Sequence, residues 1–449
     1  MIFQGKKLKL GVTGFSRTGK TVFIGSLTHS LLTSDSWANK KGRGPLAQFS
    51  PFELGKFSCA SIRDDVHSDL PQFPFRKVRD SLIYEHAGWP QPTDGISHLV
   101  LELFYQKKGF INFFDCESSI QLELVDYPGE WLVDLPMLQQ TYDEWSDDIL
   151  QKASAGSRSA WSKGYLNALN HMDENTDDES TIERLSDLWE QYLTVAADNG
   201  LVFNQPGKLL RPGNMRHSPV LRLVPLPTEL RSGKLSKRLK KRYKEYQDKV
   251  IRPFYKSYFS TIDRQIVLVD VLRTLQLGKE AYTEITEGLK VVLKSFNYGK
   301  GSLLDWLTGH NTTHVLFAAT KADHVTRTDR ANLEKVLRKM VRQVDDNNQF
   351  KSSVKHQSVM EIASVKASED RMTVKSPKRE ILFGKPVETD KAQAYDPGCL
   401  PLDVPPDWEN MDYQFLNFLP ATMPDALDEG FPSINMGKAL NFLIGDDFH

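Results

Sequence analysis

One stretch of the chain decides its fold: Gly14-Phe15-Ser16-Arg17-Thr18-Gly19-Lys20-Thr21. It fits the pattern G-x-x-x-x-G-K-[ST] of a phosphate-binding loop, with an apolar run before it and an amphipathic run after it. In such a loop, successive backbone N–H groups at a helix N-terminus form a cradle of partial positive charge. We therefore expect all of these residues to line a binding site for the phosphates of a nucleotide.

The last two side chains of this loop have separate predicted roles. Lys20 is expected to reach the outer phosphates as a point charge. The hydroxyl of Thr21 is expected to hold a Mg²⁺ ion that bridges phosphate oxygens. Apolar residues alternate over 8–12 and recur at helical spacing over 22–31, which predicts that the loop joins a strand to a helix.

The composition is that of an ordinary soluble chain with room for a main domain and a second unit. It has 449 residues, 40% of them hydrophobic, and a formal net charge of −1, which gives no global argument for binding nucleic acid or an anionic membrane. Three widely spaced cysteines, Cys59, Cys116 and Cys399, suit a reducing compartment. The N-terminus lacks a signal-peptide pattern, and no apolar run approaches the ~18 residues of a membrane span. These features predict a cytoplasmic protein.

A long irregular tract follows the first helix, from residue 34 to about residue 95, and is rich in glycine and proline. In a phosphate-loop switch protein, this is where a mobile loop supplies a hydroxyl to Mg²⁺ when the third phosphate is present. Thr93 is the candidate for that hydroxyl and Ser97 is the reserve. Either residue could equally be a turn hydroxyl.

A second motif follows a predicted pair of antiparallel strands over residues 98–105 and 120–125. The later strand ends in Asp126-Tyr127-Pro128-Gly129, a D-x-x-G sequence. Its carboxylate can hold Mg²⁺ through water, and the Gly129 N–H can bond the terminal phosphate and sense whether it is present. Asp126, Thr21 and Thr93 are therefore the predicted metal ligands.

Helical spacing and many charges mark residues 131–260 as a helical insertion. Its last part, residues 234–256, carries ten Lys or Arg residues and a stripe of apolar residues at helical spacing. A basic amphipathic helix can lie on an anionic membrane, here the inner membrane surface, or bind an acidic partner. The alternative, which we favour, is a solvated helix whose stripe packs on its neighbours.

Alternation of buried strands and helices resumes after the insertion. Strands are predicted over 265–272, 314–319 and 358–365, with helices over 281–296 and 331–344. This order favours a mostly parallel α/β sheet with one antiparallel edge pair and a ligand at the carboxyl ends of its strands. The nucleotide domain is then assigned to residues 1–130 and 261–449, of which 372–449 form a C-terminal cover, and the insertion to 131–260.

The nucleotide base is predicted from Thr320-Lys321-Ala322-Asp323, which matches the base-reading motif [NT]-K-x-D. The Asp323 carboxylate can accept two hydrogen bonds from guanine, whereas adenine offers no such donor pair. The alkyl stem of Lys321 is expected to pack over the base. Backbone N–H groups of Ser364, Val365 and Lys366 are expected to bond guanine O6.

The chain resembles the translation-factor-type, Ras-like GTPases in four sequence elements: residues 14–21, 126–129, 320–323 and 364–366. It is similar over nearly its whole length to the bacterial YcjX family of P-loop GTPases, through Trp89-Pro90 with Thr93, residues 126–132, Pro206-Gly207 with Pro212-Gly213, and residues 431–446. The resemblance implies a Ras-like domain interrupted by a helical domain, and GTP or GDP bound with Mg²⁺. It also implies a gene neighbourhood tied to the phage-shock envelope-stress response.

Two departures from Ras-like proteins concern catalysis. Glu130 stands where a water-orienting glutamine is usual, so its charge would face a phosphate unless it is turned away. Arg17 lies inside the phosphate loop, which resembles the loops of guanylate-binding proteins, where that arginine is an internal arginine finger. A surface arginine paired with Asp or Glu is the alternative for Arg17. Arg17, Lys20 and Glu130 are the predicted catalytic residues.

The function predicted from these residues is a slow, Mg²⁺-dependent GTPase that cycles as a stress-related switch. It is expected to act on a protein effector, which would be a membrane-associated stress protein, and not on nucleic acid. One alternative is a nucleotide-dependent scaffold with little turnover, which Glu130 favours. The other is an ATP-dependent phosphotransferase, which would not require Asp323.

Overall fold

The structure is a computed structural model. It describes residues 5–37, 44–65, 69–84, 88–91, 95–108, 115–176, 178–295, 312–344, 355–374, 376–389, 391–403, 405, 408, 414–420 and 426–448. Thr93 lies outside the described residues, so its predicted role remains a prediction.

The chain divides into two compact units. The first consists of Met1–Tyr127, Ile262–Gln276 and His310–His449, and the second of Pro128–Thr261 and Leu277–Gly309. The second unit therefore includes a segment after residue 276 that the sequence analysis placed in the nucleotide domain.

The first unit contains a seven-stranded sheet with strand order β2-β3-β4-β1-β5-β6-β7. Strand β3 is antiparallel to both neighbours, and the other neighbouring strands pair parallel. This confirms the predicted α/β fold with a mostly parallel sheet. The strands are β1 (Lys6–Gly14), β2 (Phe57–Ile62), β3 (Ser97–Lys108), β4 (Asp115–Asp126), β5 (Arg264–Val269), β6 (His314–Ala319) and β7 (His356–Glu361).

Three details of this sheet differ from the prediction. Strand β7 begins at His356 and ends at Glu361, whereas the predicted strand covered residues 358–365. Edge strand β2 was not predicted, because its sequence Phe-Ser-Cys-Ala-Ser-Ile is half-buried throughout and has no strong apolar alternation. Strand β5 ends at Val269 and not at residue 272, because Asp270 accepts a hydrogen bond from the Arg273 N–H (3.0 Å) and a helix begins there.

The described helices include several single turns between longer ones. They are α1 (Lys20–Leu32), α2 (Ser34–Trp37), α3 (Ser50–Glu53), α4 (Phe75–Ile83), α5 (Tyr142–Ala153), α6 (Arg158–Trp161), α7 (Lys163–Asn170), α8 (Glu179–Asp198), α9 (Gly207–Leu210), α10 (Lys234–Tyr246), α11 (Arg252–Ser257), α12 (Val271–Leu277), α13 (Lys279–Ser295), α14 (Arg330–Val344), α15 (Ala426–Glu429) and α16 (Met436–Ile444).

Helix α1 is the central helix of the first unit's core. Its apolar side chains pack with those of β1, β3 and β4 in one hydrophobic cluster, which also includes side chains of α16. The C-terminal part of the chain covers a further side of α1, where His29 Nε2 hydrogen-bonds the Ala426 carbonyl at 2.6 Å. Burial on several sides fixes the position of the helix whose first turn follows the phosphate loop.

A small second sheet in the first unit was not predicted. Its central strand is β9, which pairs antiparallel with the three others. The strands are β8 (Ser368–Met372), β9 (Glu380–Pro386), β10 (Gln393–Tyr395) and β11 (Phe418–Leu419). Ala367, Leu382 and Phe418 form its own small buried cluster.

The basic helix α10 belongs to the second unit. Its apolar stripe is buried, as the favoured alternative predicted, and several of its cations pair with acids: Arg238 and Arg242 with Glu179 at 2.8 and 2.9 Å, and Lys240 with Asp143 at 2.7 Å. Membrane contact through residues 234–256 therefore stays a prediction that rests on the remaining cations. No helix among the described residues is long and apolar enough to cross a membrane.

Candidate functional site

The phosphate loop connects β1 to α1 through a tight turn. Arg17 and Gly19 have left-handed backbone conformations, with φ of 66° and 88°. The Thr18 hydroxyl donates to the Phe15 carbonyl (2.9 Å), and Lys20 Nζ donates to the Gly14 carbonyl (2.7 Å). The loop therefore curls around its own lysine and ends at the N-terminus of a 13-residue helix.

Gly14 is required by close packing at the base of this loop. A Cβ atom there would lie 2.4 Å from Thr18 Oγ1 and 2.5 Å from the Leu268 carbonyl oxygen. Both distances are far shorter than real Cβ contacts, and one of the atoms is backbone of the neighbouring strand β5. Any larger residue at position 14 would displace the loop from β5.

Candidate metal ligands gather beside this loop. Ser97 and Asp126 are directly opposed in the β3–β4 ladder, in register with the leucines that face the α1 core. Asp126 has no exposed surface. The Ser97 hydroxyl is buried and has no hydrogen-bond partner in the described part of the chain. Ser97 and Asp126 carry hydroxyl and carboxylate oxygens, the ligands that Mg²⁺ prefers, on the face of the sheet that packs against α1, and Thr21 is in the first turn of that helix.

The residue after Asp126 fixes the end of β4. Tyr127 is buried; its hydroxyl donates to Gln265 Oε1 at 2.7 Å, and its carbonyl accepts from the Thr13 hydroxyl at 3.3 Å. Burial raises the pKa of Tyr127 well above its usual value, so the phenol is neutral. Gly129 and Glu130 begin a 3₁₀ helix, Gly129–Gln139, in the second unit, and both are buried there.

The predicted base-reading residues follow β6 in a tight, buried loop. Asp323 is 2% exposed, and its Oδ2 accepts the Ala367 N–H at 2.7 Å. Burial lowers the pKa of the adjacent His324, whose Nε2 lies 3.9 Å from Asp323 Oδ2. Thr320 is buried and bonds the Val269 carbonyl through its N–H at 3.0 Å. The carboxylate is thus held in one position by its surroundings.

Lys321 has an acidic partner that sequence reasoning missed. It has a left-handed backbone (φ 60°), and its Nζ lies 2.6 Å from Asp270 Oδ2 and 3.4 Å from Asn417 Oδ1. Asp270 directly follows the apolar strand β5, and this position at a strand end was the available signal. The contact fixes the lysine's charged end, so its alkyl stem can form a wall of the site.

The loop of Ser364, Val365 and Lys366 is braced from two sides. The Ser26 hydroxyl of α1 donates to the Ser364 carbonyl at 2.6 Å. On the other side, Ala363 and Ile434 exchange both backbone hydrogen bonds (3.1 and 2.9 Å), and the Lys366 N–H donates to the Pro432 carbonyl at 2.8 Å. The sequence analysis quoted residues 431–446 for the family resemblance but gave them no role.

The second sheet reaches the same loops. Phe418 of β11 lies edge-on to His324, with ring centroids 5.3 Å apart, and its carbonyl accepts the Trp89 indole N–H at 2.8 Å. Trp89, from the tract before β3, is therefore bonded to the residue that packs against His324, the sequence neighbour of Asp323. Nothing in the local sequence around Trp89 signals this contact.

Strand direction accounts for the grouping of these loops. Because β1, β4, β6 and β7 run parallel with β5, the loops that follow them meet at one edge of the sheet. That edge carries the phosphate loop, Asp126, residues 320–323 and residues 364–366. Polar loops of this kind at strand ends form the crevice in which parallel α/β sheets bind ligands.

Comparisons with known proteins identify the family to which this chain is similar. A family model described as YcjX-like family, DUF463, matches residues 8–448. A protein named Ras-like GTPase YcjX from Escherichia coli (strain K12) is 33% identical over 458 residues, covering 98% of this chain and 96% of that protein. A protein of the same name from Shewanella oneidensis is 32% identical over 463 residues, covering 98% and 94%.

Proposed function

Because the chain belongs to the YcjX-like family, with relatives named Ras-like GTPases, we propose that it binds GTP and GDP with Mg²⁺ and hydrolyses GTP. The observation that carries the proposal is the position of Asp323. Its carboxylate is buried at the sheet edge that also carries the phosphate loop, and Ala367 holds it there.

Guanine fits this carboxylate better than adenine does. One oxygen of Asp323 already accepts the Ala367 N–H, and each carboxylate oxygen has two lone pairs, so the side chain can still accept two hydrogen bonds. Guanine N1–H and N2–H₂ supply both donors on one edge. Adenine would leave the buried carboxylate without these bonds, at a cost of about 1–3 kcal/mol or more. Ser364 and Val365 would then meet guanine O6 through their backbone N–H groups. The sequence analysis also assigned this role to the Lys366 N–H, but that group already donates to the Pro432 carbonyl at 2.8 Å.

The phosphates would occupy the loop formed by residues 14–21. Lys20 would exchange the Gly14 carbonyl for outer phosphate oxygens, and the Gly129 N–H would bond the terminal phosphate. Thr21 and Asp126, with Thr93 or Ser97, would hold the metal ion. Bound Mg²⁺ neutralises charge on the phosphate oxygens.

Hydrolysis would be an in-line attack of water on the terminal phosphate. Glu130 follows the D-x-x-G motif and would orient this water, while Lys20 and Arg17 would stabilise charge on the phosphates. Arg17 lies in the phosphate loop with a left-handed backbone, which directs its side chain differently from that of a regular turn residue. Positioning and charge neutralisation would supply most of the rate.

The biological setting rests on the family resemblance. We propose that the GTP cycle acts as a switch in an envelope-stress response, with a protein effector at the inner membrane and the chain itself in the cytoplasm. The exposed cations of residues 234–256 support an electrostatic membrane contact as part of this proposal. Flotation with anionic vesicles, with and without GTP, tests that contact, and its absence would restrict the proposal to a soluble effector.

Calorimetry with Mg²⁺ and GDP, GTP, ADP or XDP tests the proposed ligand. Wild type is expected to prefer GDP over ADP, and Asp323→Asn to lose at least about hundredfold in GDP affinity. The same variant should gain affinity for XDP, because xanthine presents a C2 carbonyl that an asparagine amide can donate to. Asp147→Asn, which weakens a contact with Arg231 in the second unit, is the control. Equal binding of ADP and GDP, unchanged in Asp323→Asn, would contradict the proposal.

A further inference from the structure

Glu130 has a basic neighbour inside the second unit. The Glu130 side chain is 8% exposed, and its Oε1 lies 4.0 Å from Arg211 Nε. Residue 211 is far from residue 130 in sequence, so the pair exists only because two segments of the unit pack together. These segments are the 3₁₀ helix Gly129–Gln139 and residues 207–211, which we term the clamp segment.

Backbone contacts hold the clamp segment against Glu130. A Cβ atom at Gly207 would lie 2.0 Å from the Glu130 carbonyl oxygen, so only glycine permits this approach. The Trp131 indole N–H donates to the Arg211 carbonyl at 3.1 Å, and Lys208 Nζ lies 3.2 Å from the centre of the Trp131 ring. Arg211 is therefore presented to Glu130 by a rigid support.

A buried carboxylate ties the other end of the clamp segment. Both Asp134 oxygens accept the Gly207 N–H at 2.9 Å, and Asp134 Oδ2 also accepts the Tyr246 hydroxyl at 2.6 Å. Asp134 lies on the same 3₁₀ helix as Glu130, so the clamp segment is fixed to this helix at both of its ends.

The charge of Glu130 makes this neighbour important. A glutamine at this position is neutral, whereas a carboxylate is repelled by the phosphate that its bound water must attack. A guanidinium beside the carboxylate offsets that repulsion while leaving an oxygen to accept a hydrogen bond from water. We infer that Arg211 is a positioning residue for GTP hydrolysis, which neutralises Glu130 so that its carboxylate can orient the attacking water. This inference rests on the proposed function.

A double-mutant cycle tests the inference through phosphate release from GTP under single-turnover conditions. Arg211→Ala should slow hydrolysis about tenfold, which corresponds to about 1.4 kcal/mol, and leave GDP affinity unchanged. In the Glu130→Gln background, the same substitution should change the rate less than about twofold, because no carboxylate remains to be neutralised. Arg211→Lys should retain most of the wild-type rate, and Arg211→Gln should not.

The controls separate a charge effect from loss of structure. Arg216→Ala removes an exposed arginine five positions further along the same unit and should leave the rate unchanged. Equal slowing by Arg211→Ala in both backgrounds, or Arg211→Lys as slow as Arg211→Ala, would overturn the inference. Wild-type protein that binds GTP without hydrolysing it would overturn the proposed hydrolysis as well, so the two failures are distinguishable.

Discussion

Ser97 lies directly opposite Asp126 across the β3–β4 ladder, and its buried hydroxyl has no hydrogen-bond partner within the described residues. A buried hydroxyl without a partner costs about 1–3 kcal/mol, so we expect a ligand to bond this hydroxyl and the neighbouring carboxylate during function. This relationship makes Ser97 a stronger candidate for the switch hydroxyl than its place as a reserve suggested.

Ser97→Ala is therefore expected to have opposite effects on stability and on binding. The nucleotide-free protein should become about 1 kcal/mol more stable, because the unpartnered hydroxyl is gone. Binding of Mg²⁺ with a non-hydrolysable GTP analogue should weaken about tenfold, and GDP binding should change little, because the switch hydroxyl acts when the third phosphate is present. Thermal unfolding and calorimetry measure the two effects. If Ser97→Ala binds the GTP analogue normally and Thr93→Ala does not, Thr93 and not Ser97 supplies the switch hydroxyl.

Gly14→Ala should damage the phosphate loop through packing alone. The added methyl group would meet Thr18 Oγ1 and the Leu268 carbonyl, so we expect a loss of about 1–3 kcal/mol in stability and little nucleotide binding. Gly164→Ala is the matched control. Gly164 lies in helix α7 with no atom within 4 Å of an added Cβ, so this variant should be stabilised by about 0.4–1 kcal/mol. Nucleotide binding in Gly14→Ala equal to wild type would contradict the packing argument.

Arg17→Ala tests the proposed internal arginine finger. We expect turnover to fall by up to about 10³-fold, which is the lower end of the range for arginine fingers. GDP affinity should be nearly unchanged. Phosphate release and GDP calorimetry on the same preparation measure the two quantities. Weakened GDP binding with normal turnover would instead make Arg17 a ground-state phosphate contact.

The stability of the second unit should depend on pH through Asp134. Burial raises the pKa of Asp134 to about 7, from 3.8 in the unfolded chain, although bonds from Tyr246 and Gly207 act in the opposite direction. Between these two pKa values the folded chain binds the extra proton, so the contribution of Asp134 to stability is full below about pH 4 and is lost as pH rises towards 7.

Asp134→Asn removes this dependence. Relative to wild type, it should gain stability as pH rises from 5 to 8, by about 1.4 kcal/mol or more, the value of one pKa unit. Thermal unfolding at both pH values measures the difference. Asp178→Asn is the control, because hydrogen bonds from Ser180 and Thr181 lower the pKa of Asp178 to about 2, and its carboxylate is ionised throughout that range. A pH-independent difference for Asp134→Asn would show that Asp134 is ionised in the folded chain.

The parts of the fold that the sequence predicted are those in which local signals agree. Residues 14–21 follow an apolar strand and precede an amphipathic helix, and Asp126 directly follows a strand of alternating leucines. Motif and periodicity mark the same strand ends there, so the sheet and the grouping of these loops at one of its edges could be predicted. The assignment of individual residues to phosphate, base and metal remains a prediction.

Other features depend on partners distant in sequence. Strand β2 has few large apolar residues, and its position is set by pairing with β3. The contacts of Lys321 with Asp270 and of Arg211 with Glu130 join segments that are about 50 and about 80 residues apart. The strand end at Asp270 marks that residue as a candidate for the site, but no local pattern indicates the partner of either residue. The apolar stripe of α10 could be recognised in the sequence. Such a stripe alone does not distinguish a helix that packs on its neighbours from one that binds a membrane.

The bridge between Ala363 and Ile434 bears on the order in which the protein is made. The phosphate loop is synthesised long before residues 432–434, and the loop at Ser364 lacks its outer brace until those residues have left the ribosome. A nascent chain that stops before that point would contain the phosphate loop but no support for the proposed base-binding loop. If residues 320–323 and 364–366 bind the base as proposed, nucleotide capture waits until residues 432–434 have been translated, and fragments that end earlier would not sequester cellular GTP.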